Sequence, residues 1–225
     1  MGVPQVPDFN TGDNEGSSYF HVNQKRGLRW SAARGFLRPA RKRPNLHVET
    51  GCLADRLVMD GNRAVGIDYI RNGTRHTARC RAEVILSSGA IGSVQILQRS
   101  GIGPGAALLS AGIETRIDRP GIGRNLQDHL QQRAIYGITG ARTLNETYHS
   151  LPRRALMGLD YALRQRGPLT MAPSQLGIFT RSDPSQSRAN LEFHVQPLSL
   201  DKFGSPLHRT PAITVSACNL RPSSR

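Results

Sequence analysis

The sequence predicts an α/β chain, α+β overall, on three observations. Residues 83–104 read EVILSSGAIGSVQILQRSGIGP: a short apolar strand, a turn of small residues and a helix. Residues 45–82 hold strand-length runs punctuated by Asp60-Gly61 and Asn72-Gly73, two pairs suited to tight hairpins. Beyond about residue 130 the texture changes to a helix and then strand candidates set between polar turns.

In chain order, residues 1–30 are polar, glycine-rich and irregular. Ser31 to Leu37 suits one short helix closed by Pro39, whose ring and missing N–H oppose continuation. Asn45–Thr50 alternates as a strand, and Leu53–Met59, Arg63–Ile70 and Thr74–Arg81 complete a meander. Val84, Ile85 and Leu86 give Glu83–Ser88 the pattern of a buried strand. The helix from Gly92 to Gln98 stops at Gly101, placed as a C-terminal capping glycine. Ala106–Ala111 is a further short helix, and residues 120–131 form a loop leading toward another. Leu151–Arg166 places Ala155, Leu156, Leu159, Ala162 and Leu163 at helical spacing, with Arg153, Arg154 and Arg164 on the other face. Gly167-Pro168 ends it, and Leu176–Thr180, Leu191–Gln196 and Ala212–Cys218 follow as strands.

Composition sets limits. A chain of 225 residues suits one large domain or two small ones. It has no run of 18 apolar residues, so no spanning helix is expected. The N-terminus lacks the basic and apolar regions of a secretory signal. Cys52, Cys80 and Cys218 are odd in number and widely spaced, which argues against a disulfide framework or a zinc site and for a reducing compartment. The net charge is +14, and of the 30 basic residues only Lys25, Lys42 and Lys202 are lysine. The arginines are scattered and no reading element accompanies them, so a solvated or cofactor-facing surface is expected rather than a nucleic-acid interface.

The motifs divide into several readings. Gly101-Ile102-Gly103-Pro104-Gly105-Ala106 fits G-x-G-x-x-A, but a helix precedes it where the dinucleotide fingerprint needs a strand. A helix stop and turn is the better reading. In Gly121-Ile122-Gly123-Arg124-Asn125-Leu126-Gln127-Asp128-His129, two glycines permit close approach to a ligand, with Asn125 as a hydrogen-bonding partner. The other reading of Asn125 is a helix N-cap. The seven histidines show no metal-binding spacing, and no G-x-S-x-G elbow or Walker loop is present. Asn72-Gly73-Thr74 and Asn145-Glu146-Thr147 match the glycosylation sequon, the first better read as a hairpin turn. The helix at 151–166 reads as a surface helix packed on its own domain, since its apolar face lacks Trp and Phe; docking on an anionic membrane is the alternative.

SSGAIGSVQILQRSGIGP resembles the second signature of the glucose–methanol–choline (GMC) flavoprotein oxidoreductases, and PGIGRNLQDHL the loop that follows it. The stretches beginning DFNTGDNEG, RPNLHVETG and GPLTMAPSQ agree in order, and the tail NLEFHVQPLSLDKFGSPLH resembles the choline-dehydrogenase-like branch. The resemblance spans essentially the whole chain. It implies an FAD-binding domain, an antiparallel-sheet substrate domain, and oxidation of an alcohol CH–OH group with hydride passing to flavin N5. It implies that Ala54, where the family usually has valine, meets the adenine through its backbone. Ser88, Gly89 and Ala90 fall at the turn near the adenosine, and Asn125 in the loop near the flavin.

The expected division is 1–30 as an irregular substrate-domain segment, 31–130 as part of the FAD domain and 131–225 as part of the substrate domain. By the resemblance, the phosphate-gripping glycine loop would lie before Met1 and the catalytic histidine pair after Arg225. The expectation is therefore an internal stretch of a longer enzyme, with no catalytic residue and no metal, inactive alone. The alternative is a non-enzymatic remnant or interaction module of the same partial fold. FAD, an alcohol and an electron acceptor or carrier are the implied partners, without nucleic acid. The implied location is cytoplasmic, with peripheral membrane contact left open.

Overall fold

The computed structural model describes residues 2–202 and 204–224. Contacts divide the chain into two compact units, one of Met1–Lys42 with Asp128–Ser223 and the other centred on Arg43–Gln127.

The first unit begins with β1 (Gly16–Tyr19), β2 (Gln24–Lys25) and β3 (Leu28–Arg29). Arg26 and Gly27 join β2 to β3, both at positive φ as a type I′ turn demands. A single wide turn at Ala33–Leu37 runs into α1 (Arg38–Ala40). Pro39 does not close this helix. It sits in the first turn of α1, where its missing N–H costs nothing.

The second unit opens with β4 (Cys52–Asp60), β5 (Arg63–Arg71) and β6 (Thr74–Arg79), an antiparallel meander in sheet order β4-β5-β6. Asn72-Gly73 is the expected tight turn, with φ of 51° and 77°. The first hairpin turns one residue later than expected, at Gly61-Asn62, because Asp60 pairs with Arg63. Residues 45–50 form no strand. Between Ala54 and Arg56 the register shifts, so Asp55 stands as the extra residue of a bulge.

The apolar run before the next helix joins no strand ladder, and Ile85 is 76% exposed. A strand exists only through its ladder partners, and no described strand bonds to residues 83–88. The helix α2 (Gly89–Arg99) starts three residues earlier than the spacing suggested and packs on β4. Next come β7 (Ile102–Gly103), α3 (Gly105–Ser110) and β8 (Ile117–Asp118), with β7 and β8 parallel. Residues 124–130 enter no helix.

The first unit resumes with β9 (Gln131–Gly137), α4 (Leu144–Tyr148), α5 (Leu151–Arg164), β10 (Leu176–Thr180), β11 (Leu191–Gln196) and β12 (Ala212–Asn219). One antiparallel sheet of five strands, in the order β1-β10-β11-β12-β9, organises this unit. Ala212, Thr214, Ser216 and Cys218 alternate as the buried face of β12. The Phe20 ring lies over Gly177, where any Cβ would collide with it. Asn145 is fully buried: its Nδ2 donates to Ser199 Oγ at 2.8 Å and to the Thr210 carbonyl at 3.0 Å, and its Oδ1 accepts from Ser199 N at 2.9 Å. That bonding makes it a structural side chain rather than a glycan acceptor.

Candidate cofactor site

The second unit holds the five residues singled out in the sequence. Ala54 lies in β4 opposite Tyr69, immediately before the bulge. Ser88 is the N-cap of α2, Gly89 its first residue at φ +81°, and Ala90 the next. Ala54 and Ser88 line one cavity of about 680 Å³, with Cys52, Gly92 and Ile96. Ala90 and Asn125 line another of about 480 Å³, with Ile91, Val94 and Gly123. Gln95 and Gln98 border both, so α2 stands between the two spaces. Gly89 lines neither. Sequence reasoning missed the two glutamines, although their i, i+3 spacing on a mostly apolar helix marks a shared polar face.

Asn125 is not an N-cap. It adopts φ +58°, the left-handed region that asparagine tolerates better than most residues. Gly123 beside it is also at positive φ, and a Cβ there would come within 2.9 Å of Gln98 Nε2. The Gly101 to Ala106 loop is a helix stop. Gly101 takes φ +79°, and Gly105 N–H at the start of α3 donates to Asp118 Oδ1 at 3.0 Å. Asp118 therefore ties down the start of a short helix.

The bulge turns Asp55 inward until its side chain is 3% exposed. Arg99 Nε donates to its Oδ1 at 2.9 Å, Arg75 to its Oδ2 at 2.5 Å and Arg56 to Oδ2 at 3.2 Å. Arg99, then Arg75 and Arg56, hold the carboxyl well below the usual carboxylate range against the upward push of burial. An acid held so firmly ionised is a poor proton acceptor at neutral pH. Its role is to clamp β4 to the end of α2. Ser100 adds to the clamp, accepting Leu57 N–H at 2.8 Å and donating to the Ile96 carbonyl at 2.5 Å.

The start of α2 carries no side-chain cap and no acidic residue in its first turn. Its first-turn N–H groups lack intrahelical partners and carry the positive end of the helix dipole. Hydrogen-bond acceptors suit that position. The cavity between it and β4 falls within the roughly 300–1,000 Å³ usual for small-molecule sites. These features fit the adenosine end of FAD.

A second constellation has the residue types of a catalytic triad but a buried serine. In the first unit, Ser199 Oγ lies 3.0 Å from His208 Nδ1, and His208 Nε2 lies 3.1 Å from Asp201 Oδ1. Ser199 is fully buried and bound to Asn145, so no substrate carbonyl reaches its oxygen.

The family model described as GMC oxidoreductase matches residues 1–131. The chain is 36% identical over 221 residues to an alcohol dehydrogenase [acceptor] of Pseudomonas putida, covering 97% of this chain and 40% of that protein. It is 37% identical over 203 residues to the mitochondrial choline dehydrogenase of Homo sapiens, covering 90% of this chain and 34% of that one. Among solved structures, pyridoxine 4-oxidase from Mesorbium loti superposes with a TM-score of 0.76 at 26% identity, over 99% of this chain and 40% of the other. A formate oxidase shares the fold with a TM-score of 0.83 at 20% identity, over 99% of this chain and 43% of the other. The chain thus spans about 40% or less of the length of these curated relatives. The match over residues 1–131, joined to these relatives, places the chain in the GMC oxidoreductase family.

Proposed function

We propose that this chain serves an FAD-dependent oxidation of the CH–OH group of an alcohol, supplying the adenosine side of the cofactor domain and part of an antiparallel substrate-domain sheet. The cavity that joins Ala54 of β4 to Ser88 at the open start of α2 carries the reading. A main-chain contact from Ala54 needs no particular side chain, so alanine serves where valine would. Gly89 and Ala90 continue the turn, and Asn125 offers its amide on the other side of α2. When bound, FAD supplies the hydride acceptor that the chain's own side chains lack.

The activities of the relatives support an alcohol substrate and an electron acceptor: an alcohol dehydrogenase [acceptor], and choline dehydrogenases that include oxygen-dependent ones from Burkholderia. No helix among the described residues is long and apolar enough to cross a membrane. Leu156, Leu159 and Leu163 of α5 are 65%, 54% and 74% exposed, which favours peripheral contact with a membrane surface.

Titration with ADP, which carries the adenosine half of the cofactor, tests the site. Gly92 lines the cavity, so Gly92→Leu fills it. Saturable ADP binding, weakened about tenfold or more by that change, is the expected result. ADP binding that ignores Gly92→Leu overturns the assignment. The activity is tested separately, by alcohol-dependent reduction of a dye acceptor by the protein carrying this chain.

A further inference from the structure

The five-stranded sheet brings three unlike donor atoms together. Cys218 of β12 pairs with Glu192 of β11 on one side and with Gln131 of β9 on the other. His129 lies two residues before Gln131, ahead of β9. One ligand atom each from His129, Glu192 and Cys218 lie within 4.8 Å of one another. Imidazole nitrogen, carboxylate oxygen and thiol sulfur form the mixed set that a borderline-soft cation such as Zn²⁺ takes, whereas Mg²⁺ and Ca²⁺ require oxygen alone.

Two further observations point to a ligand. Cys218 is 1% exposed, and its sulfur makes no hydrogen bond among the described residues, so a buried soft donor faces the cluster without a partner. His194, two residues along β11 on the face of Glu192, places Nε2 3.0 Å from Glu192 Oε1 and stacks on Phe20 at 5.1 Å. It thereby fixes the carboxylate as an outer partner fixes a metal ligand.

We propose that His129, Glu192 and Cys218 bind Zn²⁺ through three protein donors, with the fourth position left to water. On binding, the Cys218 S–H bond breaks, its proton leaves to solvent, and the thiolate electron pair enters the zinc–sulfur bond. Burial, then the charges of Glu192 and Asp128, push the free thiol up. A divalent cation reverses that balance by neutralising the carboxylates around the sulfur. The spacing of the cysteines could not reveal this set, because its members come from three separate parts of the chain.

Cobalt(II) substitution tests the site on the whole chain after chelator treatment. A thiolate-to-cobalt charge-transfer band with visible bands of a four-coordinate ion is expected, titrating to one equivalent and displaced by Zn²⁺. Cys218→Ser abolishes the charge-transfer band, while Cys52→Ser keeps it. His129 is exposed, so His129→Ala leaves the fold intact by circular dichroism and weakens Zn²⁺ binding about tenfold or more. A cobalt complex without a thiolate band overturns the proposal. So does Zn²⁺ affinity unchanged in His129→Ala, which decides the matter if Cys218→Ser fails to fold.

Discussion

At the residue scale, Asp55 concentrates the electrostatics of the second unit. One carboxylate serves Arg99, Arg75 and Arg56, all about half exposed while the acid is buried. Asp55→Asn removes the charge but keeps the shape. Its cost is set at about 1–3 kcal/mol rather than more, because the freed guanidiniums regain water. The folded-state pKa is depressed, so the contribution of Asp55 is fully present above the ordinary aspartate value near 4 and fades as pH falls below it. Urea melts at neutral pH and below pH 4 check the sign: the variant is less stable at neutral pH, and the gap to wild type narrows in acid. Gly101 makes a different demand. A Cβ there meets the Glu114 carbonyl oxygen at 2.6 Å, and φ is +79°. Gly112, at φ +71°, faces open space. Gly101→Ala is therefore expected to cost more than Gly112→Ala, about 2–3 kcal/mol against about 1, read from denaturant midpoints. Gly101 was legible as a helix stop. Asp55 was not, because a bulge that turns one side chain inward leaves no period in the sequence.

Elements were legible where local pattern and tertiary pairing agree. Leu176–Thr180 and Leu191–Gln196 fall where alternation and flanking turns put them, and β12 runs one residue further than expected. β1 and β9 escaped notice because GSSY and QQRAIYG carry little strand preference, and pairing with β10 and β12 makes them strands. The apolar run at 84–86 failed the other way: strong local pattern without a partner is not a strand. α5 shows its face most plainly. Met157 and Tyr161 turn inward, and the Tyr161 hydroxyl donates to the Gly27 carbonyl at 3.5 Å. Leu156, Leu159 and Leu163 project away, and on the helical wheel Arg153 and Arg164 flank that stripe rather than lying opposite it as expected, with Arg154 alone across from it. The triple change Leu156→Ser, Leu159→Ser, Leu163→Ser should alter folding stability by no more than about 0.5 kcal/mol per site, since exposed leucines contribute little to a core. Sedimentation with anionic vesicles should fall in the same variant. Undiminished vesicle binding would assign any membrane contact to another surface.

At the scale of the whole molecule, a charge of +14 acts beyond any one contact. Arg71 and Arg181 join the Asp55 arginines in ion pairs, yet arginines outnumber all carboxylates in the chain. The candidate site was legible in outline for the same reason that it is incomplete as chemistry. Ser88, Gly89 and Ala90 form a local turn that sequence records directly, whereas the cavity Ser88 shares with Ala54 depends on how β4 packs against α2. Field and cavity can be separated by experiment. The field attracts the pyrophosphate of ADP or FAD over distances set by the Debye length, about 10 Å at 0.1 M salt and about 3 Å at 1 M. The cavity meets the nucleoside at contact distance and is barely screened. Raising salt over that range should therefore slow ADP association several-fold while leaving adenosine affinity nearly unchanged. Gly92→Leu should weaken both ligands at every salt concentration. If salt acts on ADP while Gly92→Leu changes neither ligand, the basic surface holds the ligand and the cavity does not; if adenosine follows Gly92→Leu and ignores salt, the space between β4 and α2 is the nucleoside site.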